Sequence, residues 1–396
     1  MELIRLTIVQ FGDFAEAAKR FANGGEESYF AQRYTVDFVL GLPARPGIGS
    51  VTVICVSRDH GTERHGDVTT VGIEVYPPGG RPQMGALIDR VAASNPTHLV
   101  ISTPLQPLIR WAIGRKIATL PLFADSFRAR GLKNWIRSFR LARLLNDPRI
   151  SFVANHNLAA SWDLVRIGVA PRKILPYDWP ALIFAEDNTA KQPPASGRPL
   201  HLLYVGQVIE AKGVGDAIRA LPILDAQGVA ANLTIIGSGA TAAFADLAAS
   251  LSLDADRVVL RGKQPHGAVL EAMRSHDAVL VPSHHAYPEG LPMTLYESLC
   301  SRTPLIVSNH PMFALRFRDG DTALIHRERD PASLAAQIVR LARDPALYAA
   351  LSERSAAAAK AFLCPLKWDK LISAFLSPDM QAEVAPFTLD RSGHPL

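Results

Sequence analysis

Two glutamates, Glu289 and Glu297, and one lysine, Lys212, offer the first chemistry in this chain. Glu289 lies in a polar loop and Glu297 at the start of a helical stretch, with seven residues between them. A carboxylate on such a loop can accept hydrogen bonds from the vicinal hydroxyls of a sugar. One a turn into the next helix can accept from a ribose, as acidic residues do in nucleotide-binding folds. Gly290, Leu291 and Pro292 form the turn between them, and the amides of Met293, Thr294 and Leu295 open the helix, where an anion is favoured. Lys212 stands just before Gly213 at the mouth of another helix, in the run from Gly206 and Gln207, and suits a phosphate as a point charge. Sugar, phosphate and ribose contacts together describe a nucleotide-sugar. Two plainer readings stay open: a βα turn with an exposed lysine, and a helix whose first-turn glutamate merely favours the dipole.

These residues need elements to hold them. Residues 277–282 and 303–308 are apolar runs of strand length on either side of the glutamates. From 202 onward, strands alternate with helices: strands at 202–206, 232–237, 257–260, 277–282, 304–308 and 322–326, helices at 213–227, 240–252, 266–275 and 293–301. Such alternation implies parallel βαβ units. The first half repeats it, with strands at 3–10, 50–56, 70–76, 97–102, 119–124 and 149–154, and helices at 28–42, 83–94, 107–118, 131–146 and 157–167. A long polar connection is expected after the first strand. Helices at 331–343, 345–362 and 366–376 and a loose tail at 378–396 close the chain. Residues 192–199, rich in proline and small side chains, read as a linker. The expected fold class is therefore α/β, with two Rossmann-like, doubly wound parallel-sheet domains facing across a cleft. The first spans 1–191, the second 200–362, and residues 363–396 form a helix, able to cross back to the first domain, and a tail.

Composition narrows the class. With 396 residues, 48% hydrophobic and 20% charged, the chain has material for two cores. No apolar run reaches the roughly 18 residues of a membrane span, and no secretory signal is visible. Three cysteines without metal-ligand spacing (Cys55, Cys300 and Cys364) argue against a disulfide framework or a zinc site, and a reducing cytoplasmic compartment is expected. Between Arg110 and Arg149 ten basic residues stand against two acids, a surplus larger than the net +5 of the whole chain. That region expects an anionic partner.

Taken together, Gly206-Gln207-…-Lys212-Gly213 and Glu289-Gly-Leu-Pro-…-Glu297 resemble the GT-B glycosyltransferases, specifically the retaining family 4 enzymes with their E-x7-E motif. The resemblance covers about residues 200–345 and includes the block holding Gly262 and Lys263; over the first half it extends to architecture alone. It implies that Lys212 neutralises the donor diphosphate, that Glu289 holds the donor sugar and that Glu297 holds the ribose. It implies transfer with retention, the departing phosphate accepting the acceptor's proton, and no metal or other cofactor. Neutral Gln207 stands where the family usually has an arginine, which removes one charge from the diphosphate contacts.

By the same resemblance the first half binds the acceptor. Gly24 and Gly25 match the family's glycine-rich first loop, or are a plain helix-start turn. Asp125 falls where many members place an active-site histidine, or caps a following turn. His156 is a weaker acceptor-side residue, better read as a structural polar histidine, and His284 and His285 adjoin Glu289, in position to line the cleft, without metal-ligand spacing. Arg130, Lys133, Arg137 and Arg140 recur every three or four residues with aromatic neighbours, a pattern suited to an anionic membrane surface or to a solvated face. No nucleic-acid motif accompanies it. The expected function is transfer of a sugar to a saccharide or lipid-linked hydroxyl acceptor in polysaccharide or glycolipid assembly. A nucleotide-sugar epimerase of the same architecture and a non-catalytic nucleotide-sugar-binding protein are the rivals.

Overall fold

The computed structural model describes residues 3–28, 31–77, 79–127, 131–195, 197–289, 292–313 and 316–391. It divides into two compact units. Unit 1 holds Met1–Glu27, Ala31–Pro180 and Cys364–Leu396, and unit 2 holds Ser28–Phe30 and Ala181–Leu363. The division falls at 180/181 rather than in the 192–199 segment. The reason is local bonding. The Lys191 amide donates to Ser352 Oγ, and the Arg198 guanidinium makes two bonds to the Asp277 carboxylate, which ties the stretch before the second sheet into unit 2.

The sheet of unit 1 has eight strands: β1 (Ile4–Gln10), β2 (Ile48–Cys55), β3 (Thr62–His65), β4 (Val68–Gly72), β5 (His98–Ile101), β6 (Ala118–Phe123), β7 (Val153–His156) and β8 (Ile174–Tyr177). Their order is β3-β4-β2-β1-β5-β6-β7-β8, parallel except for the β3–β4 hairpin. Both faces are buried, so the strands read as near-continuous apolar runs. Alternate residues divide between two cores: Leu6, Ile8, Val51 and Val53 face one side, Val9 and Ile54 the other. Each such side chain, fully buried, contributes roughly 1.5–3 kcal/mol. The helix Trp368–Phe375 completes the first core with Trp368, Leu371 and Ile372.

Three departures from the sequence reading lie in unit 1. The connection after β1 is not a polar loop. It contains the helix Phe14–Ala22, capped by Asp13 and buried through Phe14, Ala17, Ala18 and Phe21. Strands β3 and β8 were not expected: Thr62–His65 has no apolar residue, and Ile174–Tyr177 offers two before a proline. The tail is not loose as far as 391, because a short helix, Met380–Val384, and two turns bury Val384 and Leu389.

Unit 2 has a six-stranded, wholly parallel sheet: β9 (Leu200–Val205), β10 (Ala231–Ile236), β11 (Val258–Gly262), β12 (Ala278–Val281), β13 (Leu305–Ser308) and β14 (Leu324–His326), in the order β11-β10-β9-β12-β13-β14. The strand order reverses between β9 and β12, which is the switch point where open α/β sheets bind ligands outside the carboxyl ends of the strands. Helices Val214–Ala226 and Pro331–Arg343 bury Ile218, Leu221, Leu334 and Ile338 against it.

Candidate functional site

The loops after β9, β10 and β12 meet backbone to backbone. Val208 pairs with Gly239 as an isolated bridge, and His284 N donates to Ala211 O at 2.9 Å. Glycine is required where these loops approach closely. A Cβ on Gly213 would run into the Pro282 carbonyl, and its φ of +74° suits the left-handed cap that starts the helix Val214–Ala226. This seam carries Lys212 from one loop to Glu289 of the other.

Lys212 Nζ stands 2.5 Å from Glu289 Oε1, and Ser283 Oγ donates to the same oxygen at 2.6 Å. Glu289 is 4% exposed, so its charge is held by these two partners. The ammonium also sits 4.3 Å from the centre of the Tyr287 ring. Tyr287 Oη donates to Gln207 Oε1 at 3.1 Å, and Tyr204 Oη donates to the Gln207 carbonyl at 2.6 Å. Burial, then the nearby Glu289 carboxylate, raise the Tyr287 hydroxyl above its usual pKa, which keeps it a donor. Accepting from Tyr287 leaves the Gln207 NH2 as its outward donor.

Glu297, on the helix Met293–Cys300, is also 4% exposed, and its Oε1 lies 2.8 Å from His266 Nε2. His266 is the first residue of the helix His266–Ser275, reached from β11 through Gly262 (φ +64°) and exposed Lys263. Thr294 and Leu295 lie in the first turn of the Glu297 helix, after its cap, Pro292. Gly290 and Leu291 lie outside the described residues.

The neighbouring histidines are structural ties. His284 Nε2 is 2.8 Å from Asp216 Oδ2, fastening the loop to the helix Val214–Ala226. His285 Nδ1 is 3.1 Å from Glu328 Oε1, and its Nε2 is 3.0 Å from Asn309 Oδ1.

In unit 1, Gly24 and Gly25 do not open a helix. They close the helix Phe14–Ala22, with Gly24 N donating to Phe21 O and Gly25 N to Arg20 O. Their amides are committed, and the carbonyl end of a helix is unfavourable to a phosphate. Asp125 follows β6, where Asn155 holds its backbone through Oδ1 on Asp125 N (3.3 Å) and Nδ2 on Asp125 O (3.0 Å). Burial raises the Asp125 carboxyl above the usual range, and Arg137 opposes that rise. His156 is 6% exposed. Its Nε2 is 3.1 Å from Asp178 Oδ1 but outside hydrogen-bond geometry, and its ring packs against Tyr177 and Trp179. It is a packed core histidine.

Among the described residues one trio of metal-ligating types lies together: Asp13, Cys55 and His60, with ligand atoms within 4.8 Å of one another. Burial pushes the Cys55 thiol up to about 11, favouring the thiol over the thiolate a metal needs.

Ser283, Tyr287 and His266 are the site residues that the sequence reading did not single out. The first two sit in the same loop as Glu289. His266 gives no sequence signal beyond its place at a βα turn.

Two Rossmann-like parallel-sheet units, the second with a lysine–glutamate site at its switch point, define the GT-B fold, and solved structures agree. Sucrose-phosphate synthase from Thermosynechococcus elongatus superposes with a TM-score of 0.63 at 17% identity, covering 90% of this chain and 94% of that one. The Anabaena protein HepE, solved with UDP-glucose, gives 0.63 at 13%, covering 90% and 95%. Residues 185–358 match the family described as "Glycosyl transferases group 1". Among curated relatives, a Mycobacterium tuberculosis glycogen synthase is 34% identical over 187 residues, 47% of this chain and 43% of the relative. The amylovoran biosynthesis glycosyltransferase AmsK of Erwinia amylovora is 32% identical over 152 residues, 38% and 37% respectively. The chain thus spans about two fifths of the length of these two relatives.

Proposed function

We propose that the protein is a retaining, family 4 glycosyltransferase that moves a sugar from a nucleotide-diphosphate-sugar to a hydroxyl acceptor. The observation that carries this reading is the Lys212–Glu289 contact, held by Ser283 and Tyr287 at the switch point of the second sheet. The pair joins a cation suited to a diphosphate with a carboxylate suited to sugar hydroxyls, each neutralising the other until donor arrives. On donor binding Lys212 turns to the diphosphate, and Glu289 accepts from the sugar. Glu297, oriented by His266, accepts from the ribose. Gln207 donates its NH2 to the diphosphate, a neutral contact where the family usually places an arginine. Gly262 and Lys263, Thr294 and Leu295 border the nucleotide.

The acceptor hydroxyl attacks the anomeric carbon on the face from which the diphosphate departs. The new glycosidic bond forms as the sugar–phosphate bond breaks, and the acceptor's proton passes to the departing phosphate oxygen. Lys212 and the helix N-terminus at 293–295 supply the positive charge, so the donor chemistry is assigned no metal. Asp125 orients the acceptor hydroxyl. UDP or GDP is the nucleotide class, in line with the UDP-glucose complex of HepE. Polysaccharide or glycolipid assembly is the setting, in line with the names of the glycogen synthase and amylovoran relatives. Among the described residues no helix is long and apolar enough to cross a membrane; we place the protein in the cytoplasm, with Lys133, Arg137 and Arg140 toward the anionic phosphate of a lipid. Arg130, assigned with them, lies outside the described residues.

The test is a thermal-shift panel of nucleotide-sugars, since a bound donor stabilises the fold as its concentration exceeds Kd, followed by product analysis. A donor consumed with retained stereochemistry, and a fall of roughly 10²-fold in Glu289→Ala, support the reading. Donor epimerised without transfer overturns it, as does transfer unchanged in Glu289→Ala.

A further inference from the structure

The helix Leu132–Leu145 presents three strips. Leu141, Ala142 and Leu145 are buried in unit 1. Leu132, Trp135 and Phe139, at i, i+3 and i+7, share a second strip, exposed at 72, 63 and 49%. Trp135 and Phe139 stack on each other, centroids 5.7 Å apart and planes 11° apart. The third strip carries Lys133, Arg137 and Arg140, all exposed, and among the described residues no carboxylate pairs with them. Scattered exposed apolar residues need no explanation, but a contiguous aromatic strip does.

Beside the aromatic strip lies a cavity of about 440 Å³, lined by Phe127, Trp135, Ser138, Phe139, Arg166 and Ile167. Its lining is mixed: Phe127, Trp135, Phe139 and Ile167 supply the apolar wall, Ser138 and Arg166 the polar one, and Arg166 is paired with Asp163 at 2.6 Å. The apolar wall continues into the exposed aromatic strip, and Lys133, Arg137 and Arg140 stand on another strip of the same helix, so an occupant with an apolar part and an anionic group matches both. A simple anion would leave the aromatics without a role, and a neutral hydrocarbon would leave the cations without one.

We propose that this groove binds the hydrocarbon chain of a lipid-linked acceptor, whose phosphate is held by Lys133, Arg137 and Arg140. The proposal rests on the reading of unit 1 as the acceptor half, and it names the acceptor's class. Its position fits that reading. Phe127 of the groove wall is two residues beyond Asp125, and Arg137 is near enough to favour the Asp125 carboxylate. The phosphate end of the lipid would thus lie toward the carboxylate assigned to the acceptor hydroxyl.

The probe is a bromoalkyl phosphate, used on the full chain below its micellar concentration, with tryptophan fluorescence as the readout. Five tryptophans are present, and only Trp135 lines the groove. Saturable quenching is expected, lost by more than half in Trp135→Phe. Phe139→Ser and the pair Arg137→Glu, Arg140→Glu should each weaken binding at least tenfold. All four positions are exposed, so the variants should fold, and nucleotide affinity measured alongside should be unchanged. Quenching unaltered in Trp135→Phe overturns the proposal. So does equal competition by inorganic phosphate or a single-stranded oligonucleotide, or binding to anionic vesicles with none to the monomeric probe, which would indicate a flat membrane contact. If the wild type binds the probe but no nucleotide, the transferase reading fails while the lipid groove stands.

Discussion

Lys212 and Glu289, from loops after different strands, meet at 2.5 Å with side-chain exposures of 14 and 5%. Neither charge is satisfied without the other, apart from the Ser283 hydroxyl on Glu289 and the Tyr287 ring over Lys212. The pair is thus a structural tie as well as the proposed donor site. Removing one partner leaves a buried charge, and the cost should be about 3–5 kcal/mol. Lys212→Met and Glu289→Gln should each be destabilising by that order, and the double variant should cost clearly less than their sum. Denaturant unfolding of the four-member cycle measures this, and strictly additive losses would show that the pair is not coupled.

His266 is assigned to hold Glu297, and this separates binding from chemistry. Loss of a hydrogen bond to a charged group costs roughly 1.5–3 kcal/mol. His266→Ala should therefore weaken nucleotide binding by about tenfold or more, raising the donor KM with little change in kcat. Calorimetric titration with the nucleotide found in the thermal-shift panel reads it directly. A Kd within twofold of wild type would remove His266 from the donor site.

Gly213 and Gly24 share a φ of +74°, yet their surroundings differ. A Cβ at 213 meets the Pro282 carbonyl, whereas a Cβ at 24 meets open space. Gly24→Ala should cost about 1–2 kcal/mol, the left-handed penalty alone. Gly213→Ala should cost more, and should also weaken donor binding because it displaces Lys212. Equal losses from the two substitutions, read by thermal unfolding, would contradict the close seam between the loops.

Three histidines give a pH dependence with a definite sign. Burial lowers the pKa of His98, His276 and His326 from the ordinary 6.5. His326 is 1% exposed, with Nδ1 on the Arg327 carbonyl and, among the described residues, no partner for Nε2. Below 6.5 the unfolded chain binds protons that the folded chain refuses, so stability falls as pH drops from 6.5 toward the lower folded values. His326→Gln should flatten that fall in unit 2. An unchanged slope between pH 7 and 5 in urea unfolding would assign the dependence to other groups.

The seven-residue spacing of Glu289 and Glu297, the Gly206–Gly213 run and the strand–helix alternation were legible in the sequence, because each rests on local chemistry: apolar period, turn residues and caps. From them followed the α/β class, the second sheet's strands and the residues assigned to the donor. Strands β3 and β8 and the helix Phe14–Ala22 were not legible. Strand β3 has no apolar residue and β8 only two before Pro176, and that helix shows its buried stripe only once the sheet is beneath it. Tertiary structure alone brought Lys212 onto Glu289 and His266 onto Glu297, since these contacts join residues 77 and 31 positions apart in sequence. It also turned Gly24 and Gly25 from a loop that could greet a phosphate into the end of a helix. Sequence determined which residues could bind a nucleotide-sugar; the parallel sheet, by gathering the carboxyl ends of β9, β11 and β12 at one edge, decided which of them meet.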